Sequence, residues 1–489
     1  MIDWSEIISK IEQVGIVGSP SGDNTASCIL HDGMEKVLRD EALVLIDNRN
    51  GNKILAVCRK GQGFNEALRY SYYSPGIAYA KTGRWPSSAK EFFVYTLIVI
   101  GDITDGVVRQ NTLIIAPGSP VYRFNEEVNP VRFLSDKGVK IGYYATGFKT
   151  WKVPLNHEYI SHHIGVFGIT GSGKSYLCRY ELIPLLRKVG YDVLIFDWKG
   201  DDFARFYKSV ISIKDIKLDE STVYRLMIKK FENFGQKYES SLPAHIFLQE
   251  IIKSNEWKRA TASDTKRKLL EMMKERGEKL TRSDTKAKFE QCLNYVEYVP
   301  DEEFNIFLGT RPVSELIDGM LREEHVVVVD QSFGRTDEKL SVFLSFTRYL
   351  EKQMEEKKTL NIAVVVDEAP QYCPHNPRGI EEDTTEMISR LAALGRARHL
   401  SLVLIAQGMA GEIGINASVR RNLNTLFIGR IHPLDVQEAE RFFANSSISS
   451  DDLLRLPDGH FYMVGKMNPS PVPILITFEI QKGEEVGSS

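Results

Sequence analysis

Residues 162–175 read HHIGVFGITGSGKS, and the fold follows from that stretch. An apolar run ends at Phe167, and the next eight residues, Gly168-Ile-Thr-Gly-Ser-Gly-Lys174-Ser175, satisfy GxxxxGK[ST] between a predicted strand and a predicted helix starting near Ser175. The context matters as much as the motif. Gly168, Gly171 and Gly173 let backbone N–H groups turn inward around a β-phosphate, and the helix N-terminus adds its positive dipole end. Lys174 can then reach the β- and γ-phosphates, while the Ser175 hydroxyl can ligate Mg²⁺. Thr170, Ser172 and Tyr176 complete the residues expected to line ATP.

Downstream, apolar strands alternate with long helical patterns: 163–167, 193–196, 326–329, 362–366 and 402–406. This order predicts a mainly parallel, doubly wound α/β sheet with helices on both faces, as the unbroken VVVV at 326–329 suggests. In such sheets ligands sit beyond the carboxyl ends of the strands, so the polar residues found there are candidates. NIAVVVDE ends in Asp367 and Glu368: the first is placed to hold the Mg²⁺ shell, the second to take a proton from the attacking water. Gln407 ends the 402–406 strand and is expected to sense the γ-phosphate or position water. Asp197 ends another strand, where it either faces the nucleotide or caps the following turn.

Between about 214 and 300 charged helical patterns dominate, predicting a helical insertion. SDTKRK at 263–268 returns as SDTKAK at 283–288, each able to cap a helix. Twelve Lys/Arg oppose seven Asp/Glu in residues 253–290, which reads either as a solvated helical face or as a surface for DNA or a partner.

Upstream, short β-rich runs and turn clusters from about Gly15 to Thr150, including 92–100, 111–116 and 139–144, predict a small sheet or barrel. Two domains are expected, 1–150 and 151–489, since 489 residues exceed what one hydrophobic core sustains. The net charge of −3 leaves any nucleic acid to be held by local basic surface. Cys28, Cys58, Cys178, Cys292 and Cys373 are scattered and form no CxxC pair, so they are expected to be buried small hydrophobes in a reducing compartment. Residues 1–15 lack a basic start followed by an apolar run, and no apolar stretch approaches the roughly 20 residues of a bilayer span. A cytoplasmic protein without a membrane span is expected.

The chain also resembles the HerA branch of the HerA/FtsK ring ATPases. The similarity rests on ordered segments: VKIGYYATGFKTWKVPLNHEYISHH at 139–163, LIFDWKGDDF at 194–203, VVVDEAPQY at 364–372, SRLAALGRARHLSLVLIAQ at 389–407, VRRNLNTLFIGRI at 419–431 and LPDGHFYMVGK at 456–466. The resemblance implies a RecA-like P-loop core, an N-terminal barrel like the family's HAS-barrel, a homohexamer, and ATP-driven translocation on duplex DNA. It further implies a NurA-type nuclease partner in DNA end processing, and Arg396 as an arginine finger reaching the next subunit's ATP. Arg420 and Arg421 are secondary candidates. A DNA-packaging or conjugative coupling ATPase, or an ATP-gated ring scaffold for a defence nuclease, would share these motifs.

Overall fold

Antiparallel strands in the first part of the chain close on themselves. In order around the barrel they are Glu12–Val17, Thr25–Leu30, Glu91–Asp102, Lys53–Asn65, Leu43–Asp47 and Pro120–Arg123, which pairs back onto the first. Closure satisfies every strand edge, and alternate apolar side chains point inward. Val14, Cys28, Val44, Ile46, Ile54, Ala56, Cys58, Leu97 and Val121 fill the interior. Burial pushes the Cys28 thiol up to about 12, so it is a packed hydrophobe and no nucleophile.

The computed structural model describes residues 2–69, 75–84, 91–136, 138–219, 222, 262–298, 300–301 and 309–479. Two units emerge: the first takes Met1–Ile160, Val166–Leu185 and Asn424–Ile480, the second Ser161–Gly165 and Leu186–Leu423. In the first unit a second antiparallel group follows the barrel, in the order Thr425–Ile428, His460–Gly465, Ile474–Thr477 and Tyr143–Tyr144. A buried ion pair joins barrel and sheet. Arg59 Nε donates to Glu41 Oε1 at 2.6 Å, and its Nη1 and Nη2 donate to the carbonyls of Ser446 and Pro473 at 2.6 and 2.8 Å. Tyr462 Oη donates to the same Glu41 oxygen at 3.1 Å.

Two strand expectations are corrected. Residues 111–116 form no strand. Asn111 spends its side-chain amide on the carbonyls of Asp23 and Leu113, at 2.7 and 2.9 Å, and such local bonds compete with a ladder. The 139–144 run breaks at Gly142, whose φ is +46°, into Lys140–Ile141 and Tyr143–Tyr144, and only the latter joins the second sheet.

The second unit holds the parallel sheet, in the order Val210–Ser212, Val326–Asp330, Asp192–Asp197, Ile362–Val366 and Leu400–Ala406. Its interior strands are buried on both faces, matching their continuous apolar runs. The helix Thr336–Glu355 packs Phe343 and Phe346 edge-on against Phe196. Within the insertion, helices Ala262–Glu278 and Ser283–Tyr298 lie together, tied by Lys274–Glu297 at 3.2 Å and by Phe289 seated against Gly277. The pairs Lys266–Asp301 and Arg267–Asp264 take up part of the local positive charge. The rest of the expected insertion, 220–261 apart from Thr222, and the Cys292 side chain lie outside the described residues. Cys28, Cys58, Cys178 and Cys373 are buried, as expected.

Candidate nucleotide site

The glycine loop forms where its sequence places it, between the strand Ile164–Phe167 and the helix beginning at Lys174. Gly173 has φ +98°, and a Cβ there would lie 3.2 Å from the backbone nitrogen of Gly459, so two independent constraints ask for glycine. Ile169 N donates to Arg430 O at 2.7 Å, and Gly459 N donates to Ser172 O at 2.9 Å. The loop is therefore clamped by the residues around Arg430 and by the turn at Gly459. Lys174 Nζ donates to the carbonyls of Gly168 and Ile169 at 2.8 and 3.0 Å, which curls it over the loop. Ser172 Oγ is buried without a hydrogen-bond partner, whereas Thr170 and Gly171 are exposed. Tyr176 is exposed, stacks on Tyr180, and carries the Arg179 guanidinium over its ring at 4.6 Å.

The acidic residues gather in the second unit because adjacent parallel strands end at the same level. Asp197 pairs in register with Asp330, and Asp367 N donates to Phe196 O at 3.1 Å. Asp367 is 3% exposed, and its Oδ2 has no hydrogen-bond partner. Burial raises its carboxyl to about 8, helped by the neighbouring charges of Asp202, Asp197 and Glu368. A cation beside such a carboxylate would hold it ionised. Mg²⁺ fits the orphaned oxygen of Asp367. Among the described residues no group of three or more His, Cys, Asp or Glu forms a ready metal cage. One or two protein oxygens plus phosphates and water is the usual Mg²⁺ arrangement in nucleotide sites.

Asp197 resolves into its capping alternative. Its carboxylate is fully buried and accepts from Gly200 N at 2.9 Å, Phe203 N at 2.8 Å and Ala204 N at 2.9 Å. Both oxygens serve the loop that follows. Burial still raises its pKa, these backbone bonds working against it. Glu368 adopts the left-handed region, φ +51° and ψ +49°, where a residue with a Cβ is strained. Gln407 Nε2 donates to its two oxygens at 3.0 and 3.3 Å. Lys199 Nζ donates to Oε1 at 2.5 Å, and this bond raises the lysine pKa. Sequence reasoning missed Lys199, although WKGDD directly after a strand end was its signal.

Arg396 lies in the short turn after the helix Ile380–Gly395, is exposed, and among the described residues has no ion-pair partner. Arg420 is engaged within its own chain, donating to Met409 O at 2.5 Å, while Arg421 is exposed. Gly168 through Tyr176 belong to the first unit, and Asp197, Asp367, Glu368, Arg396 and Gln407 to the second.

A glycine phosphate loop and a parallel sheet with an Asp-Glu strand end define a P-loop ATPase of RecA-like α/β fold. Residues 139–350 match the family described as "Helicase HerA, central domain". Over those residues the chain is similar to the HerA central domain. It is 22% identical over 496 aligned positions to the DNA double-strand break repair helicase HerA of Pyrococcus furiosus, covering 88% of this chain and 86% of that protein. Among solved structures it is similar to VirB4 of Thermoanaerobacter pseudethanolicus, with a TM-score of 0.48 and 14% identity, covering 71% of this chain and 98% of the other. It is also similar to the plasmid coupling protein TrwB in complex with ADP and Mg²⁺, with a TM-score of 0.47 and 15% identity, covering 74% and 94%. Among the described residues no helix is long and apolar enough to cross a membrane.

Proposed function

We propose that this ATPase is a DNA translocase that works as a homohexameric ring on duplex DNA, with a NurA-type nuclease as its partner in DNA end processing inside the cytoplasm. The observation that carries hydrolysis is the strand end itself, where buried Asp367, lacking a partner on Oδ2, is followed directly by Glu368. DNA enters from the likeness to the Pyrococcus furiosus protein named as a DNA double-strand break repair helicase, and the nuclease from the resemblance to the HerA branch alone. The ring is supported by Arg396, exposed and without an ion-pair partner among the described residues.

In this reading the N–H groups of 168–175 wrap the phosphates, Lys174 neutralises them, and Thr170, Ser172 and Tyr176 border the nucleotide. Ser175 and Asp367 hold Mg²⁺, which when bound screens the charge on the β- and γ-oxygens. Glu368 takes a proton from water as the water oxygen bonds to the γ-phosphorus. The bond to the bridging oxygen breaks, releasing ADP and phosphate. Gln407 orients water and Glu368 together, and Arg396 stabilises charge in a neighbouring subunit's site. Residues 1–150 form the barrel-based domain and 151–489 the motor with its insertion at about 214–300.

The test is ATP turnover with and without linear duplex DNA, read beside the mass of the particle. Stimulated turnover by a six-fold assembly is expected. Lys174→Ala should lose both nucleotide binding and hydrolysis, and Glu368→Gln should bind ATP and stall. Turnover indifferent to DNA, in a monomer, would sink the translocase reading.

A further inference from the structure

The base proposed for hydrolysis does not stand free. Its Oε1 accepts two hydrogen bonds, from Lys199 Nζ at 2.5 Å and from Gln407 Nε2 at 3.0 Å. A carboxylate oxygen engaged by an ammonium is a poor acceptor for a further proton, because the proton must displace or oppose a positive charge. Lys199 does not reach this position by chance of a loose loop. Asp197 caps the loop with three backbone hydrogen bonds. Trp198, next to the lysine, is held edge-on against Tyr372, and Lys339 Nζ donates to its carbonyl at 3.1 Å. Gly200, on the other side, has φ +74°, and a Cβ there would meet Asp330 Oδ1 at 2.6 Å. The backbone is thus pinned on both sides of the lysine, while its side chain stays 53% exposed against 17% for Glu368. A half-exposed ammonium on a fixed stem can change partners without refolding anything.

We propose that Lys199 is a latch on Glu368: with Gln407 it parks the carboxylate, and hydrolysis waits until a phosphate draws the ammonium away. This rests on Glu368 being the base. The competitor is identified by its chemistry, an oxyanion with more than one charged oxygen, which forms stronger charge-assisted hydrogen bonds than the single exposed pair it replaces. A nucleic-acid backbone and the γ-phosphate of ATP both supply it. Lys199 is a positioning residue in this scheme, since it acts through Glu368. The strained left-handed backbone at Glu368 fits a side chain held in one of two poses.

The experiment uses the full chain with Mg-ATP, with and without linear duplex DNA. Lys199→Met removes the charge and keeps the length, Lys199→Gln is a second neutral variant should the first fold poorly, and Lys199→Arg restores a cation. Both neutral variants should raise kcat without DNA several-fold, with KM for ATP at the wild-type value if the DNA backbone is the competitor and raised if the γ-phosphate is, and the arginine should return kcat toward wild type. If the DNA backbone releases the latch, the neutral variants reach the DNA-stimulated wild-type rate unaided and DNA adds nothing. If the γ-phosphate releases it, both rates rise in the same proportion. An unchanged or lower kcat in folded neutral variants overturns the latch. Glu368→Gln separates the two readings: if it stalls while Lys199→Met behaves as wild type, only the latch falls, and if it hydrolyses normally the base and the latch fall together.

Discussion

His163 shows at a single residue how a buried group commits to one protonation state. Its Nε2 lies 2.8 Å from the carbonyl of Ala392, and its Nδ1 accepts from Leu402 N at 3.1 Å. That pattern needs a proton on Nε2 and none on Nδ1, so the imidazolium would set an N–H against an N–H. Burial is the largest cause and, with the charge of His162, pushes His163 down to about 4 against the opposing bond to the Ala392 carbonyl. The unfolded chain therefore binds this proton from about pH 6.5 downward while the folded chain does not until about pH 4. Stability from this site is complete above pH 6.5 and is lost as pH falls toward 4, by roughly 3 kcal/mol. His163→Gln should flatten that part of the curve, as read from thermal midpoints between pH 7 and 4. Parallel curves for the two proteins would show that the imidazole is not buried neutral. Legibility at this scale depended on distance along the chain. The phosphate-loop residues are neighbours in sequence, so their chemistry could be read directly. The partner of Glu368 is Lys199, 169 residues away, and nothing local in either segment names the other.

Strands, helices and turns were legible where periodicity and burial agree. Ile362–Val366 and Val326–Asp330 are continuous apolar runs, and both are strands of the parallel sheet. Residues 111–116 have apolar content but no strand, because Asn111 offers its backbone neighbours a competing set of hydrogen bonds. Elements are also joined by charges that no pattern announces. Arg59, on the barrel strand Lys53–Asn65, is 2% exposed and satisfies Glu41 and two carbonyls beyond residue 440. Burial, helped by the charge of Asp40, pushes the Glu41 carboxyl up, with the guanidinium and Tyr462 opposing it. Arg59→Met should cost about 3–5 kcal/mol, since it leaves a buried carboxylate and two carbonyls unpaired. Adding Glu41→Gln should recover part of that loss by removing the stranded charge. Urea denaturation of the single and double variants measures both. A single-variant loss near that of an exposed ion pair would mean that water reaches the pair.

At the scale of the whole molecule, the prediction concerns assembly. Arg396 sits exposed at the end of Ile380–Gly395, and a finger serving a neighbour would act on a phosphate its own chain does not hold. Arg396→Ala should keep ATP binding and lose hydrolysis by roughly 10³ to 10⁵, the usual worth of such an arginine. Mixed with Lys174→Ala subunits, it should regain partial activity, because some interfaces then pair an intact loop with an intact finger. Co-assembled mixtures as inactive as either parent would place Arg396 in its own subunit's site or show that every site must work. Titrating Lys174→Ala into wild type separates these, since an all-sites requirement makes activity collapse steeply. By itself the sequence determined the phosphate loop, the acidic strand end, the parallel sheet and the β-rich start, because each is written in residues a few positions apart and depends on backbone geometry and hydrophobic period. Only the tertiary structure decided that Asp197 caps a loop, that Arg59 is buried with Glu41, and that Lys199 lies on Glu368. Those choices depend on which distant side chains share a low-dielectric space, and burial acts on pairs that the linear order does not bring together.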